Sequence, residues 1–577
     1  MIKFFDRNQF LVGLGTVCVI SFLTSLPLFH DGFFPIHDDA QIVRVQQMTK
    51  ALQDGQFPVR WVSDLGYGYG YPIFNFYAPL PYYIGSLFDL IGFTPLAATK
   101  MMMGIGLLLA GVAMYVLSEK IWGTWGAVIS AVLYQFAPYH AVQLYVRGSV
   151  GELYAYAFLP LVMVGLYKVF TDKTNFLKGL VIASVSFAAL ILSHNISAMI
   201  TFVYIVITLF VFMNAVRIKG IVERETDMKG LGQVYIILLF IILSLGLSAF
   251  YWLPALVEKD YTSVDQIITT GGSDFHLHFL YPDQLWDSPW GFAGSAPGRD
   301  DGMSFKIGKL HMLFGLVGLI GAIWSIVRNK KKWMDGLVGI GFGIALLIFS
   351  VYMTVENSVS VWEAGGPFLS YIQFPWRFLV FILFFISLYA GGIVAVDKNK
   401  IRTLAVTAII LMSIVYVNLK YFNPQAYYQI SQNEYEGDLY VKWHTSRISD
   451  EYLPRAIDRP DNEYEIVYSK FDLESGVVEN QVIKTDEQSA TIRVDQLTQL
   501  VINTAYFPGW HVYIDDQEVL PIIAGGKMEI SVPEGQHVVR LLFTNTAVRS
   551  LANTISGIGG VILFGTMMLL RKSRLTR

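Results

Sequence analysis

The sequence predicts a polytopic α-helical membrane protein with a small β-sandwich domain towards its C-terminal end. Hydrophobic residues make up 54% of the 577 residues, charged residues make up only 15%, and the mean hydropathy is +0.48. Apolar runs long enough to cross a bilayer recur along most of the chain. Between residues 421 and 551 they give way to short segments in which apolar and polar residues alternate, which is typical of β-strands.

Charge and cysteine content exclude several classes of protein. The net charge is −3, the pI is near 6.4, and Lys and Arg fall in small clusters between apolar runs, so we expect no nucleic-acid partner. The single cysteine, Cys18, excludes an intrachain disulfide and a metal site built on cysteines.

The apolar runs predict about twelve membrane spans. The first, 10–29, follows Lys3 and Arg7, is long enough to span and shows no small-residue cleavage site, so we expect an uncleaved signal anchor. Segment 79–93 is too short and too interrupted by polar and helix-breaking residues to span, so we expect an interfacial or re-entrant element. The predicted spans are 10–29, 98–117, 124–139, 151–170, 178–193, 197–215, 232–256, 310–328, 335–353, 376–396, 402–419 and 552–571.

The distribution of basic residues predicts the orientation in the cell membrane. If 79–93 does not span, every cluster of Lys and Arg between spans falls on one side, which the positive-inside rule makes the cytoplasm. Both termini are then cytoplasmic. The first loop, 30–97, and the region 421–551 are extracytoplasmic. The predicted domains are a transmembrane domain (1–420), a β-sandwich domain (421–551), and a final helix with a basic tail (552–577).

The β-sandwich prediction depends on alternation and on turn signals. Apolar and polar residues alternate over 490–494, 500–503, 511–515, 528–532 and 538–543. Pro508-Gly509, Asp515-Asp516, Gly525-Gly526 and Glu534-Gly535 separate these segments, as turns between antiparallel strands would.

The first loop contains two adjacent acids, Asp38 and Asp39, directly after the first apolar run. Residues 39–53 have the spacing of a short amphipathic helix lying in the interface, and Asp38 is either its N-cap or a catalytic group. The following segment, 66–81, is rich in aromatic residues, Gly and Pro. We expect close backbone packing at its glycines and not a phosphate-binding loop, because neither a preceding strand nor a following Lys-Ser/Thr is present.

Ionisable residues are almost absent from the spans and gather at the extracytoplasmic interface. This favours chemistry on a lipid head group over ion-coupled transport. Some candidates have structural alternatives: His194 as a turn cap, Arg377 as an interface anchor, and Glu258 with Asp260 as a solvated loop start. His276 and His278 would chelate a metal if they were alternate residues of a strand. The candidates are Asp38, Asp39, Arg60, His140, Arg147, Glu152, His194, Glu258, Asp260, His276, His278, Asp300, Asp301 and Arg377.

The chain contains, in this order, an anchor helix, paired acids, an amphipathic helix, Gly55-Gln-Phe-Pro with Trp61, and an aromatic-Pro-Leu motif. This order resembles the first external loop of GT-C glycosyltransferases. Segment 66–83 resembles the bacterial membrane family named for a 6-pyruvoyl-tetrahydropterin synthase-related domain. Segments 505–516 and 533–539 are similar to the external domain of YfhO-like proteins, which are linked to glycosylation of teichoic-acid polymers.

The resemblance implies roles for particular residues. Asp38 and Asp39 match the paired acids that supply a general base, and Glu152, after Arg147-Gly-Ser, matches a second-loop acid. These three carboxylates would also be the ligands of a divalent cation, Mg²⁺ or Mn²⁺, if one is required. The implied donor is a polyprenyl-phosphate sugar and not a nucleotide sugar. The predicted phosphate-binding residues are Arg60, Arg147, His194 and Arg377.

These features lead to a hypothesis and two alternatives. The hypothesis is a glycosyltransferase that moves a sugar from the lipid carrier to an exported glycan, lipid or protein, with inversion. One alternative is a non-enzymatic scaffold or export partner whose β-domain binds glycan through the aromatic residues Tyr506, Phe507, Trp510 and Tyr513. The other is a lipid-carrier flippase, which would need polar groups along a transbilayer path.

Overall fold

The computed structural model describes residues 8–171, 176–223, 228–267, 271–328, 333–395, 397 and 399–575. Single-turn α-helices also occur, at Ile73–Phe76, Pro138–Ala141, Val264–Ile267, Pro282–Trp286, Val359–Ala364, Gly366–Ser370, Gln432–Tyr435 and Ser446–Ile448. The longer α-helices are α1 (Gln9–Phe22), α2 (Gln41–Gln53), α3 (Leu80–Leu90), α4 (Pro95–Gln135), α5 (Val150–Thr171), α6 (Phe176–Ile191), α7 (Asn195–Glu223), α8 (Met228–Leu247), α9 (Ala249–Val257), α10 (Lys309–Arg328), α11 (Trp333–Thr354), α12 (Leu379–Ala390), α13 (Lys400–Asn418) and α14 (Ala547–Leu575).

Helix α4 is a hairpin of two helical arms. The chain reverses at Gly123, whose φ of 72° is not helical. A β-carbon at Gly111 would lie 3.0 Å from the side-chain oxygen of Gln135. A straight helix would separate residues 111 and 135 by about 36 Å. The two arms therefore run antiparallel, in agreement with the separate spans predicted at 98–117 and 124–139.

Eight helices in the described part of the chain are long and apolar enough to cross a membrane. A ninth span results if the pair 234–247 and 249–257, which is bent by 75°, counts as one. Helix α6 and the first part of α7 are shorter apolar helices. The total of twelve spans therefore remains a prediction, as does the side on which each loop lies.

Helix α3, in segment 79–93, is shorter than a membrane span. It has 11 residues. At a rise of about 1.5 Å per residue, the helix is about 16 Å long, roughly half the hydrocarbon thickness of a bilayer.

Helix α2 differs from its prediction. Its polar face was expected to lie in the membrane interface, but Gln41, Arg44 and Gln47 are each at most 3% exposed. Its N-cap is Ala40, and no side chain caps its first turn. The interpretation of Asp38 as an N-cap is therefore wrong. The helix is covered on both faces because the C-terminal part of the chain packs over the first loop.

The C-terminal β-domain consists of two antiparallel sheets, one with the strand order β1-β4-β8-β7 and the other with β2-β3-β9-β5-β6. The predicted strands are present, and two-residue turns with positive φ at both positions join β5 to β6 (Asp515 and Asp516) and β7 to β8 (Gly525 and Gly526). The strands are β1 (Phe471–Leu473), β2 (Val477–Ile483), β3 (Glu487–Val494), β4 (Thr498–Ala505), β5 (Trp510–Ile514), β6 (Gln517–Val519), β7 (Ile522–Ala524), β8 (Lys527–Val532) and β9 (Gly535–Phe543).

The first loop is docked directly on the β-domain. The backbone N–H of Ala505 in β4 donates to the carbonyl of Tyr69, over 2.8 Å. The buried ring of Trp61 packs against Phe507, Trp510 and Phe543, with centroid distances of 5.5 to 6.1 Å. The first loop and the β-domain therefore lie on the same side of the membrane helices.

The glycines of the first loop allow this close docking. Gly66, Gly68 and Gly70 all have positive φ. A β-carbon at Gly70 would lie 2.5 Å from the indole of Trp61, and one at Gly68 would lie 2.9 Å from the carbonyl of Val467. The prediction of close backbone packing at these glycines is confirmed.

Candidate active site at the first loop

The candidate site forms where the first loop meets the segment between α4 and α5. The N–H of His37 donates to the carbonyl of Val146 (3.1 Å), and the N–H of Asp38 donates to the carbonyl of Arg147 (2.9 Å). The side-chain amide of Gln41 donates to the carbonyl of Gly148 over 2.9 Å. These bonds fix the backbone of the first acid beside the predicted second-loop motif.

Arg147 and Glu152 form a buried ion pair. The guanidinium Nη1 of Arg147 lies 2.5 Å from Oε2 of Glu152, whose side chain is fully buried. The other carboxylate oxygen accepts hydrogen bonds from the Tyr139 hydroxyl (2.6 Å) and the Gln143 amide (3.2 Å). The guanidinium also lies 4.6 Å from the ring centre of Trp376. Glu152 is therefore placed to orient and neutralise Arg147, and it is not free to accept a substrate proton.

Arg377 is a buried cation that contacts no carboxylate in the part of the chain that the structure describes. It is 8% exposed and donates from Nη1 to the carbonyl of Ile372 (2.7 Å) and to the Gln373 side chain (3.0 Å). Its Nε has no hydrogen-bond partner among the described residues. Burial of an unpaired charge is costly. The environment of Arg377 therefore favours binding of an anion.

Asp38 supplies the available carboxylate of this cluster. Its side chain is partly exposed and receives no hydrogen bond within the described ranges, yet its charge acts on Arg147 and Arg377. The charge of Asp38 also acts on the phenol of Tyr77. A free carboxylate thus lies within electrostatic range of two guanidiniums.

Asp39 faces a different environment from Asp38. The Tyr428 hydroxyl donates to its Oδ2 over 3.4 Å. Burial raises the pKa of Asp39 from 3.8 to about 6. The adjacent acids of the motif are therefore divided between two environments.

His194 belongs to the cluster but is not a fixed cation. Its Nδ1 accepts a hydrogen bond from the Ser197 N–H (3.2 Å) at the start of α7, so the predicted cap is present. Burial lowers the pKa of His194 to about 3. The imidazole is therefore neutral near pH 7 and does not supply a fixed positive charge.

Arg60 is placed away from this cluster. Its guanidinium donates to the side-chain oxygens of Asn75 and Asn553, both over 2.9 Å. Asn75 in turn donates to Glu258, which pairs with Arg549 of α14 over 3.0 Å. Glu258 is 3% exposed, so the expectation of a solvated loop start is wrong. These buried hydrogen bonds give Arg60 a structural role, in contrast to its predicted role in phosphate binding.

The remaining candidates do not join the site. His276 lies in a 3₁₀ turn (Phe275–Leu277), not a strand, and contacts Asp274. His278 hydrogen-bonds with the Ser295 side chain and the carbonyl of Gly272.

His140 is buried and stacks on Tyr156, with ring centres 4.5 Å apart. Asp260 is exposed, and Asp301, next to Asp300, accepts from the Ala296 N–H and the Gln284 side chain.

The arrangement does not supply a metal-binding set. Within the described ranges, no three His, Cys, Asp or Glu side chains gather in a way that could hold a metal ion. Of the predicted ligands, Glu152 is occupied by Arg147, Tyr139 and Gln143, and Asp39 faces Tyr428. The residues present therefore do not fit Mg²⁺ or Mn²⁺ bound by Asp38, Asp39 and Glu152.

An apolar groove of about 540 Å³ adjoins the cluster. Gln373, which accepts the hydrogen bond of Arg377, lies in its wall, as does Asn195, the neighbour of His194. The groove runs between the helical elements that follow α5, and most of its lining is aliphatic or aromatic. The apolar lining includes Phe76, Phe187, Ile191, Ile196, Ala198, Met199, Phe202, Leu245, Tyr251, Trp252, Ala255, Leu256, Val264, Phe368 and Tyr452.

Sequence reasoning missed two polar residues near the site, Arg44 and Glu451. Arg44 was read only as part of the polar face of α2. Glu451 lies in an irregular segment far along the chain, where no periodicity or motif indicates it. The aromatic residues Phe507 and Trp510 were considered for glycan stacking, but they are 0% and 5% exposed because they pack on Trp61.

Residues 74–271 match the family model described as a 6-pyruvoyl-tetrahydropterin synthase related domain, a membrane protein. An uncharacterised protein of Lactococcus lactis subsp. cremoris is 24% identical over 326 residues, which are 55% of this chain and 49% of that protein. The chain thus spans about half the length of that relative.

Three kinds of solved structure are similar to this chain. The Archaeoglobus fulgidus oligosaccharyltransferase in its apo form has a TM-score of 0.47 and 15% identity, covering 81% of this chain and 62% of its own. The arabinofuranosyltransferase AftD from Mycobacteria has a TM-score of 0.43 and 14% identity, covering 73% and 27%. ArnT from Cupriavidus metallidurans bound to undecaprenyl phosphate has a TM-score of 0.35 and 12% identity, covering 70% and 63%.

Proposed function

We propose that this chain, which carries a 6-pyruvoyl-tetrahydropterin synthase-related membrane domain, is a membrane glycosyltransferase. It transfers a sugar from a polyprenyl-phosphate carrier to an exported cell-envelope acceptor at the outer face of the membrane. One observation carries the proposal: Asp38 is hydrogen-bonded through its backbone to Arg147, and Arg377 contacts Gln373 in the wall of the adjoining apolar groove. Sugar transfer from a lipid-linked donor needs a carboxylate for the acceptor hydroxyl, cations for the phosphate and an apolar groove for the lipid, all close together.

The donor fits the cluster by its chemistry. The apolar groove receives the polyprenyl chain, and the adjoining arginines receive the phosphate. Among the described residues, Arg377 contacts no carboxylate and its Nε has no hydrogen-bond partner, so an anionic phosphate compensates its charge. Arg147 is held in place by Glu152 and Trp376. The donor phosphate therefore binds where the chain has already oriented two cations.

The proposed reaction assigns one role to Asp38. Its carboxylate removes the proton from the acceptor hydroxyl as the acceptor oxygen attacks the anomeric carbon of the sugar. The bond between that carbon and the phosphate oxygen breaks, and its electron pair leaves with the polyprenyl phosphate. Arg147 and Arg377 stabilise the charge that develops on the phosphate. Attack opposite the leaving group inverts the configuration of the sugar.

Substitution of the two acids tests the catalytic assignment. Membranes that contain Asp38→Asn or Asp39→Asn would be supplied with a panel of radiolabelled undecaprenyl-phosphate sugars, and label in the endogenous acceptors would be measured. We expect Asp38→Asn to lower the transfer rate by about 10²- to 10⁴-fold, the range for loss of a general base. Asp39→Asn serves as the matched control and should retain most activity. Wild-type rates for Asp38→Asn would overturn the assignment.

Binding of the carrier can be tested separately from transfer. Purified protein in nanodiscs would be titrated with undecaprenyl phosphate, with thermal stabilisation as the readout. Arg377→Gln should weaken binding at least about tenfold, which corresponds to roughly 1.4 kcal/mol. The exposed Arg493→Gln on the β-domain is the control and should bind like the wild type. Equal binding by both variants would contradict the phosphate site.

A further inference from the structure

Arg44, Ser449 and Glu451 form a second polar cluster. Arg44 donates from Nη2 to the Ser449 hydroxyl over 2.7 Å, and this hydroxyl lies 3.0 Å from both carboxylate oxygens of Glu451. The guanidinium of Arg44 also lies 4.3 Å from the ring centre of Tyr77. The proposed phosphate site does not use this cluster.

The first loop holds the segment that carries Glu451. The Tyr71 hydroxyl donates to the carbonyl of Ser449 (2.8 Å) and accepts from the N–H of Tyr452 (3.1 Å). The ring of Tyr452 stacks on Phe76 with a centroid distance of 5.5 Å and lines the apolar groove. The position of Glu451 is therefore fixed by the same loop that carries Asp38.

A chain of hydrogen bonds joins the two clusters. Nη1 of Arg44 donates to the Tyr82 hydroxyl (3.3 Å), and this hydroxyl donates to the side-chain oxygen of Gln41 (2.7 Å). The side-chain amide of Gln41 donates to the carbonyl of Asp38 (3.1 Å). Tyr77, Glu451 and Tyr452 are partly exposed, whereas Arg44 is buried beneath them. A ligand whose reacting group approaches Asp38 can therefore contact the carboxylate of Glu451 and the adjoining aromatic rings.

We propose that Glu451, with Arg44, Ser449 and Tyr77, forms the acceptor subsite, and that it selects an uncharged, hydroxyl-bearing carbohydrate or polyol over an anionic acceptor. This inference rests on the proposed function. A carboxylate accepts hydrogen bonds from hydroxyl groups, and aromatic faces pack against the apolar faces of sugar rings. The carboxylate of Glu451 repels an acceptor that brings its own negative charge, so electrostatic repulsion contributes to the selectivity.

A pair of matched ligands tests this selectivity. Full-length protein in nanodiscs, loaded with undecaprenyl phosphate, would be titrated at pH 8 with methyl β-D-glucopyranoside and with methyl β-D-glucuronide by saturation-transfer NMR. The two probes differ in one carboxylate. We expect the wild type to prefer the neutral glycoside by at least about tenfold. Glu451→Gln keeps a hydrogen-bond acceptor for Ser449 but removes the charge, and it should reduce the preference to less than about threefold. The exposed Glu474→Gln is the matched control.

Each outcome decides the inference. An unchanged preference in Glu451→Gln would overturn it, as would failure of both glycosides to bind a protein that does bind undecaprenyl phosphate. A lower unfolding temperature of Glu451→Gln together with loss of carrier binding would also overturn it, because Glu451 would then be structural. Failure of the wild type to bind undecaprenyl phosphate would instead contradict the proposed function itself.

Discussion

Asp38 and Asp39 are neighbours in the chain, but their carboxylates have different electrostatic surroundings. Asp38 acts on Arg147 and Arg377, whereas Asp39 lies beside Tyr428 in a more desolvated position. The division follows from the turn before α2, in which the N–H of Ala40 donates to the carbonyl of Asp38 over 2.8 Å. A motif of paired acids can therefore contain one catalytic candidate and one residue with a different role.

The raised pKa of Asp39 predicts how stability depends on pH. Its pKa is 3.8 in a model peptide and about 6 in the folded chain, so the folded state binds more protons between these values. The stabilisation is complete below pH 3.8 and is lost as the pH rises through about 6. Asp39→Asn is neutral at every pH. We expect its unfolding temperature to exceed that of the wild type above pH 6 and to converge with it near pH 4.

Thermal unfolding in detergent between pH 4 and pH 8 checks this expectation, with the exposed Asp495→Asn on the β-domain as the matched control. A wild type more stable than Asp39→Asn at pH 8 would contradict the burial argument.

At the residue scale, the sequence indicated which side chains lie near one another but not which contacts each of them makes. It indicated Asp38, Arg147, Glu152, His194 and Arg377, and the structure brings all five together. It could not show that Glu152 is occupied by Arg147 or that His194 is neutral. These properties depend on burial and on contacts between residues distant in sequence, which no local pattern records.

Among the elements, the C-terminal helix α14 is tied to the first loop by a buried ionic cluster. Arg549 is 0% exposed and pairs with Glu258, which follows α9. Glu258 also accepts from Thr546 (2.7 Å) and from Asn75 (2.8 Å), and Arg60 binds both Asn75 and Asn553. The carboxylate of Glu258 therefore stabilises two buried guanidiniums, that of Arg549 directly and that of Arg60 through Asn75.

Removal of that carboxylate should be strongly destabilising. Glu258→Gln leaves Arg549 and Arg60 buried without a counterion, and loss of one partner of a buried pair typically costs about 3–5 kcal/mol. Thermal unfolding of the detergent-solubilised protein would measure the effect, with the exposed Glu356→Gln as control. The double variant Glu258→Gln/Arg549→Met should recover part of the loss. A Glu258→Gln variant as stable as the control would show that the cluster contributes little.

The elements themselves were largely predictable, and the exceptions have physical causes. Periodicity found five of the nine strands, β3, β4, β5, β8 and β9, because alternation reflects one buried face. Strands β1, β2, β6 and β7 were not predicted. The same reasoning misplaced α2, because periodicity detects one apolar stripe and cannot show that the polar face is covered by a later part of the chain. Arg44 and Gln47 are buried by tertiary packing, not by the local pattern.

At the scale of the whole molecule, the first loop lies between the membrane helices and the β-domain. Its backbone bonds to the segment before α5 through Asp38 and to β4 through Tyr69. The ammonium of Lys470 adds two hydrogen bonds, to the carbonyls of Ser63 (3.2 Å) and Gly68 (2.7 Å). The side of the membrane on which the β-domain lies is therefore also the side of Asp38.

This connection makes sidedness testable at a distance from the site. In a Cys18→Ala background, Leu520→Cys places a thiol at a position that is 93% exposed on the β-domain. Thr171→Cys places one at the exposed end of α5, where basic residues predict a cytoplasmic loop. We expect a membrane-impermeant maleimide to label Leu520→Cys in intact cells and Thr171→Cys only after lysis. If Leu520→Cys reacted only after lysis, the β-domain and the bonded first loop would lie in the cytosol, and Asp38 could not act on an acceptor outside the cell.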